Sequence, residues 1–344
     1  PTSQTITGLS GTTAMPLYSA VDGSDLAGAV SLSGGIKLIN NTTVTASSNN
    51  IFSVSGASAT IGGSALSLSS SSSITGTSFT VVSVGSGASL AATSTAPLIS
   101  VDNSTFTGGT TVFNLSGVNT TAETDAFTTD AGPSGTGLTV GTDRPIRGTG
   151  TCPSCPLAAS LVTASGATVN TQHAVRIDQA LLEASAPLVN LFALTSSTMT
   201  SNNDFVKLVA NAKMNIVPSD ALLKLSNSTL NVTNGSLFNV AGGSFLKVTG
   251  NLVSLAGGST LTITNGALVA LSGGSVFTLT NGSFGVFSGP SSTINLPTSL
   301  TGFTVVPGPG ALSGFGVALA GGATTSQITL PGTFTPFTGT GSVT

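Results

Sequence analysis

The sequence predicts an all-β chain wound into a parallel β-solenoid, and three observations predict it. A four-residue apolar word recurs at a short interval, Asn-Gly and Gly-Gly pairs punctuate the intervals, and charge is nearly absent from the repeating stretches. Periods of this kind mark stacked coils, each of which buries its apolar face only against its neighbours.

The word reads apolar, apolar, mostly polar, apolar. It appears as Ile51-Phe52-Ser53-Val54, Ala65-Leu66-Ser67-Leu68, Val81-Val82-Ser83-Val84, Leu98-Ile99-Ser100-Val101 and Val112-Phe113-Asn114-Leu115. After a gap it returns from Leu188-Val189-Asn190-Leu191 through Phe205-Val206-Lys207-Leu208, Leu222-Leu223-Lys224-Leu225, Leu237-Phe238-Asn239-Val240, Leu252-Val253-Ser254-Leu255 and Leu268-Val269-Ala270-Leu271 to a degraded Phe284-Gly285-Val286-Phe287. Its second and fourth positions are apolar and its third is mostly polar, the period-two signature of a strand with one face buried.

A second short strand is expected between words, at Lys213 to Ile216, Thr229 to Val232, Thr260 to Ile263, Val276 to Leu279 and Thr293 to Leu296. Asn234-Gly235, Asn265-Gly266 and Asn281-Gly282 follow second strands, whereas Gly242-Gly243, Gly257-Gly258 and Gly273-Gly274 follow words. Such residues accept positive φ at low cost and so supply corners. An antiparallel meander would use Asn-Gly as a hairpin turn. Only winding gives a reason for the same word to recur in one register.

Words begin about 14 to 17 residues apart, so the expected coil holds one word and one second strand. Each word then stacks on its own copy one coil away. That arrangement predicts one interior ladder through Phe52, Leu66, Val82, Ile99, Phe113, Val189, Val206, Leu223, Phe238, Val253 and Val269, with an exterior ladder of Ser and Asn. It also puts Lys207 and Lys224 in one slot on adjacent coils, screened by Asp204 and Asp220.

From about residue 117 to 187 the beat fails. This stretch gathers Glu123, Asp125, Asp130, Asp143, Arg144, Arg147, His173, Arg176, Asp178 and Glu183. It reads as a charged insertion between a first block at 36–116 and a second at 188–300. "RIDQALLEASAP" places Ile177, Ala180, Leu181 and Ala184 on one face and ends at Pro187, which predicts a short helix. "TCPSCP" carries both cysteines, Cys152 and Cys155. Their spacing reads first as a small disulfide loop in an oxidising compartment, with free thiols, redox chemistry and half of a zinc site as the alternatives. Zinc would need two further ligands, of which His173 is one candidate.

Composition narrows function. The chain of 344 residues has 8 Lys and Arg against 11 Asp and Glu, only 6% charged residues, and 39% hydrophobic ones. So apolar a chain, with mean hydropathy +0.44, is expected to fold rather than stay disordered. It has no cationic stripe for nucleic acid and no uninterrupted apolar run for a membrane span. His173 with Asp178 or Glu183 sketches an acid/base pair, yet no motif places a nucleophile, and carboxylates do not recur in one slot. Neither an enzyme, a cofactor nor a metal site is expected. The opening at Pro1, without Met, reads as a processed or trimmed form.

The flanks, 1–35 and 301–344, are rich in Gly, Thr and Pro and carry apolar patches such as "GFGVALAGG" without a charged helical cap. They are expected to pair with strands of a neighbouring copy.

The apolar word with its Asn-Gly and Gly-Gly corners resembles the passenger regions of bacterial secreted β-solenoid proteins, the filamentous-haemagglutinin and autotransporter class. The likeness covers about Ile36 to Ser116 and Leu188 to Leu300. It implies a secreted or surface-displayed protein working in adhesion, matrix or filament formation. Two roles follow: a homopolymeric subunit of a fibre, filament or sheath, and an adhesin whose 117–187 insertion binds a surface or carbohydrate ligand. Low charge and uncapped ends favour the first.

Overall fold

The computed structural model describes residues 4–7, 10–13, 18–21, 29–32, 34–46, 50–55, 58–85, 89–92, 96–116, 137–140, 160–184, 190–289, 291–297, 317–320, 327–330 and 335–344. Among these the chain forms short strands and no helix, and the strands stack in parallel as a solenoid. One circuit shows the plan. Ile36–Ile39 leads into Thr43–Ala46, then Asn50–Ser55, then Ser58–Ile61, and Leu66–Leu68 returns beside Ile36–Ile39.

Stacking the circuits builds three sheets of ten, seventeen and nine strands. Sheet I collects the strands above and below Ile36–Ile39, and sheet III those above and below Ser58–Ile61. Sheet II has two limbs, IIa through Thr43–Ala46 and IIb through Asn50–Ser55, which the long strands Thr105–Ser116 and Thr168–Asp178 join by running across both.

The coil is thus twice the expected size. It carries four strands and two words, and stacked corner partners lie 30 to 33 residues apart in sequence. Alternate words belong to different sheets, so Phe52 stands beside Val82, while Leu66 stands between Ile36 and Ile99. The single ladder becomes two. Phe52, Val82, Phe113, Val175, Val206, Phe238 and Val269 follow one another in limb IIb. Leu66, Ile99, Val162, Phe192, Leu223 and Val253 do so in sheet I. All of these side chains are buried. Val189 lies outside the described residues, and Phe192 takes the ladder position of its coil. Across the interior the ladders touch, as where the rings of Phe192 and Phe205 pack 4.8 Å apart.

Three further expectations change. Residues 162–184 are ordinary coil, with Val162–Ser165, Thr168–Asp178 and Leu181–Ala184 each paired on both sides. The predicted helix is therefore two strands and a corner, with Gln179 at φ 52° as the corner residue. Neighbouring coils supply ladder hydrogen bonds and bury Ile177 and Leu182, which outweighs local helix propensity. The flanks also join the solenoid: Gln4–Thr7 pairs with Ile36–Ile39, and Phe337–Gly339 with Gly285–Ser288.

The two halves of a coil are near-copies. After a sheet I word, Gly257 and Gly258 turn the chain with φ of 64° and 76°; after IIb words, Gly242 and Gly243 do so at 63° and 75°, and Gly273 and Gly274 at 63° and 76°. A buried serine closes both kinds of corner. The Ser197 amide donates to Ser228 Oγ and that of Ser228 to Ser259 Oγ, each at 3.1 Å; on the other side the Ser244 amide donates to Ser275 Oγ at 3.1 Å. Each hydroxyl in turn donates to a carbonyl two or three residues back. At these corners each serine therefore closes an amide of the neighbouring coil, as buried backbone donors require.

This column makes an opposite-sign prediction. Ser228→Ala strands the buried Ser197 amide and should lower stability by about 1–3 kcal/mol. Ser292 Oγ, buried at the corresponding corner, has no hydrogen-bond partner among the described residues, so Ser292→Ala should leave stability unchanged or raise it. Urea midpoints of the two variants check both.

The Asn-Gly corners work differently from expectation. Of Asn234, Gly235, Asn265, Gly266, Asn281 and Gly282, only Asn281 has a positive φ, at 56°. The glycines are needed for close stacking: a Cβ on Gly235 would collide with the Asp204 amide, one on Gly266 with the Gly235 carbonyl, and one on Gly282 with the Gly250 carbonyl.

Candidate functional site

The coil ends are where this fold offers unsatisfied binding capacity. Gln4–Thr7, Ser10–Thr13, Tyr18–Val21 and Ala29–Leu32 pair on one side only among the described strands. At the other end Val317–Ala320, Gln327–Thr329, Phe337–Gly339 and Ser342–Val343 do the same. Among the described residues each such edge presents alternate amides and carbonyls to which another strand could pair.

The C-terminal end also uncovers the core. Leu296, Ile328, Leu330 and Phe337 pack on it but are only partly buried, and Val343 is 37% exposed. Phe337 rests against Phe287, with ring centroids 6.4 Å apart. Interior ladders that are fully enclosed at Leu223 or Phe238 have no covering coil here among the described residues.

A second cluster lies on limb IIb, whose outward third positions stack as Asn114, Arg176, Lys207 and Asn239. Arg176 Nη2 donates to Asp178 Oδ2 at 2.7 Å, and Lys207 Nζ lies 3.5 Å from Asp204 Oδ2. Asp204 also accepts from the Ser236 amide at 2.9 Å and from Asn239 Nδ2 at 3.0 Å, which fixes its carboxylate at the IIa–IIb corner. His173 stacks on that corner, its Nδ1 donating to the Asp204 carbonyl at 2.7 Å. Asp178 is thus held by Arg176, and the structure does not bring it to His173. Lys224 sits in sheet I, 2.8 Å from Asp220, and does not stack on Lys207. Both lysines do pair with the expected aspartates. Lys213, buried in sheet III, holds its ammonium 5.8 Å from the centre of the Phe245 ring.

Burial holds the His173 imidazole below its ordinary value of 6.5, against the opposing pull of the Asp204 carbonyl and carboxylate. Below about pH 6.5 the unfolded chain binds the proton first, so stability should be full above that pH and decline as pH falls toward the lowered value. The difference in urea midpoint between pH 7.5 and pH 5 should shrink in His173→Gln.

Cys152 and Cys155 lie outside the described residues, as does most of the 117–187 stretch. Among the described residues no three His, Cys, Asp or Glu side chains gather as a metal site, and no helix is long and apolar enough to cross a membrane. The corner serines were not singled out from sequence, although a Ser or Thr directly before a Thr-opened second strand, as in Ser228-Thr229 and Ser259-Thr260, marks them. In comparisons with known proteins, no family model, curated protein or solved structure matches this chain. The chain is a parallel β-solenoid repeat protein, and its outermost described strands, each paired on one side only among the described residues, are its candidate functional surfaces.

Proposed function

We propose that the protein is a non-enzymatic structural subunit that assembles end to end into a fibre, filament or sheath, outside the cell or on its surface. One observation carries this reading: among the described residues the outermost strand on every face is paired on one side only, and Phe337 is only partly buried and Val343 exposed. A second copy stacked on that end would satisfy the edge and bury the apolar rim together. The scarcity of charge, 6% of residues, favours close approach of identical surfaces.

Negative-stain microscopy and sedimentation velocity at rising concentration test it. Long unbranched filaments are the expected product, and a species that remains monomeric throughout would overturn the proposal. The second reading, an adhesin for a matrix or carbohydrate ligand, draws on the Arg176, Lys207, Asp204 and His173 cluster beside the charged stretch. Isolated rods that bind glycans would favour it.

A further inference from the structure

The four-strand coil brings the strands of limb IIa into unbroken register. Eight of them, from Thr43–Ala46 to Thr293–Asn295, pair residue for residue. Inward positions such as Val44, Met199 and Leu230 are buried, and the outward positions between them form two columns. One column runs through Thr198, Thr229 and Thr260 and is threonine on each of these strands except at Ser73. The other runs through Thr200, Asn231 and Thr262 and holds only Thr or Asn.

What these columns exclude sets them apart. The other faces each carry charge: Lys37 and Lys224 on sheet I, Arg176 and Lys207 on limb IIb, Lys247 on sheet III. The two columns of limb IIa carry no charge and no aromatic ring. Solubility alone would be served better by charge. The side chains are also braced. Threonine is β-branched and stiff at χ1, and neighbours bond along the columns, Ser73 Oγ donating to Thr43 Oγ1 and Asn295 Nδ2 to Thr262 Oγ1, each at 3.1 Å. The result is a grid repeating at about 4.8 Å from coil to coil and about 6.6 Å from column to column. Because the grid is held before any partner arrives, little ordering cost remains for binding.

A preformed grid selects a partner that is itself a lattice. A second copy of the chain is a poor fit by size: the columns cover about 34 Å by about 7 Å, a few hundred Å² against roughly 800 Å² per partner in a stable protein interface. A crystalline polysaccharide is gripped chiefly by aromatic rings stacked on sugar faces, which this surface lacks. The prism face of hexagonal ice repeats its oxygens at spacings close to both of those in the grid. Its waters donate and accept hydrogen bonds, as threonine hydroxyls do, and threonine methyl groups leave bulk water at far lower cost than a charged side chain would. We propose that limb IIa is an ice-binding face, a role that does not depend on end-to-end assembly.

Single-crystal growth in a nanolitre osmometer, with the full chain, tests it. Ice growth should halt over a measurable gap between melting and freezing temperatures, and fluorescently labelled protein should concentrate in a slowly growing ice ball. Thr229→Lys and Thr200→Lys, each at the centre of a column, should abolish the gap. Ala270→Lys, on the outer side of limb IIb, should keep it. Urea midpoints of the three variants should match that of the parent, which separates a lost face from a lost fold. Protein excluded from ice and giving no gap overturns the proposal, as does a gap that survives both lysine changes on limb IIa. Retention on microcrystalline cellulose or chitin without any effect on ice overturns it too, and makes the face a polysaccharide surface instead. Sedimentation of the same samples scores assembly separately, so failure of either reading leaves the other intact.

Discussion

Phe238→Ala should lower the free energy of unfolding by about 3–5 kcal/mol. Phe238 is fully buried in limb IIb, directly between Val206 and Val269 on the adjacent coils. Its neighbours cannot close the resulting cavity. Each is tied to its own coil by parallel pairing in fixed register, and the coil spacing is set by backbone bonds such as Phe238 N to Leu268 O at 3.0 Å and Val206 N to Leu237 O at 2.9 Å. Since each coil contacts only its neighbours, the damage should stay local. Hydrogen exchange should show lost protection around 205–271 and retained protection around 43–84, with urea unfolding giving the total.

Gly266→Ala should cost about 3 kcal/mol or more, although Gly266 does not have a positive φ. Its new methyl would meet the Gly235 carbonyl, which is backbone of the neighbouring coil and cannot swing aside. On either side of that contact, Ala267 N bonds Ser236 Oγ at 3.1 Å and Leu237 N bonds Ala267 O at 2.9 Å, so the coils part only by losing these bonds. Gly242→Ala is the control. Gly242 is left-handed at φ 63°, but Ala210 already occupies the preceding coil's corner at φ 56°, so the cost there should be about 1–2 kcal/mol. Urea midpoints should therefore rank Gly266→Ala as the more damaging change, the reverse of what φ alone would suggest.

These contrasts show what the sequence makes legible. The word and its alternation report burial on one face, and Phe52, Leu66, Phe113 and Phe238 are all interior. Parallel winding was legible as well, because a recurrent register has no use in a meander. The coil length was not, since the two halves carry the same word, the same corner and the same serine. A 15-residue period therefore fits either one small coil or half of a larger one. Lys207 and Lys224 held the clue. Stacked on adjacent small coils they would repel, and the four-strand coil places them on different sheets.

The apparent helix at 176–187 shows another limit. Ile177, Ala180, Leu181 and Ala184 fit a helical face, but Ala174-Val175-Arg176-Ile177 is also a word followed by a corner, and tertiary pairing selects that reading. At Leu188-Val189-Asn190-Leu191 the apolar residues fit the template, while Phe192 supplies the ladder. That the outermost described strands pair on one side only depends on strand register and emerges only from the fold.

The four-strand coil is tested most directly by nitroxide labels in the full chain lacking its own cysteines. Labels at Lys207→Cys and Asn239→Cys occupy paired positions on adjacent coils of limb IIb, and their continuous-wave spectrum should be strongly broadened by dipolar coupling at about 5 Å strand spacing. Labels at Lys207→Cys and Lys224→Cys lie on different sheets and should give a narrow, additive spectrum. Broadening in the second pair and its absence in the first would mean that consecutive words stack, and the coil described here would be wrong.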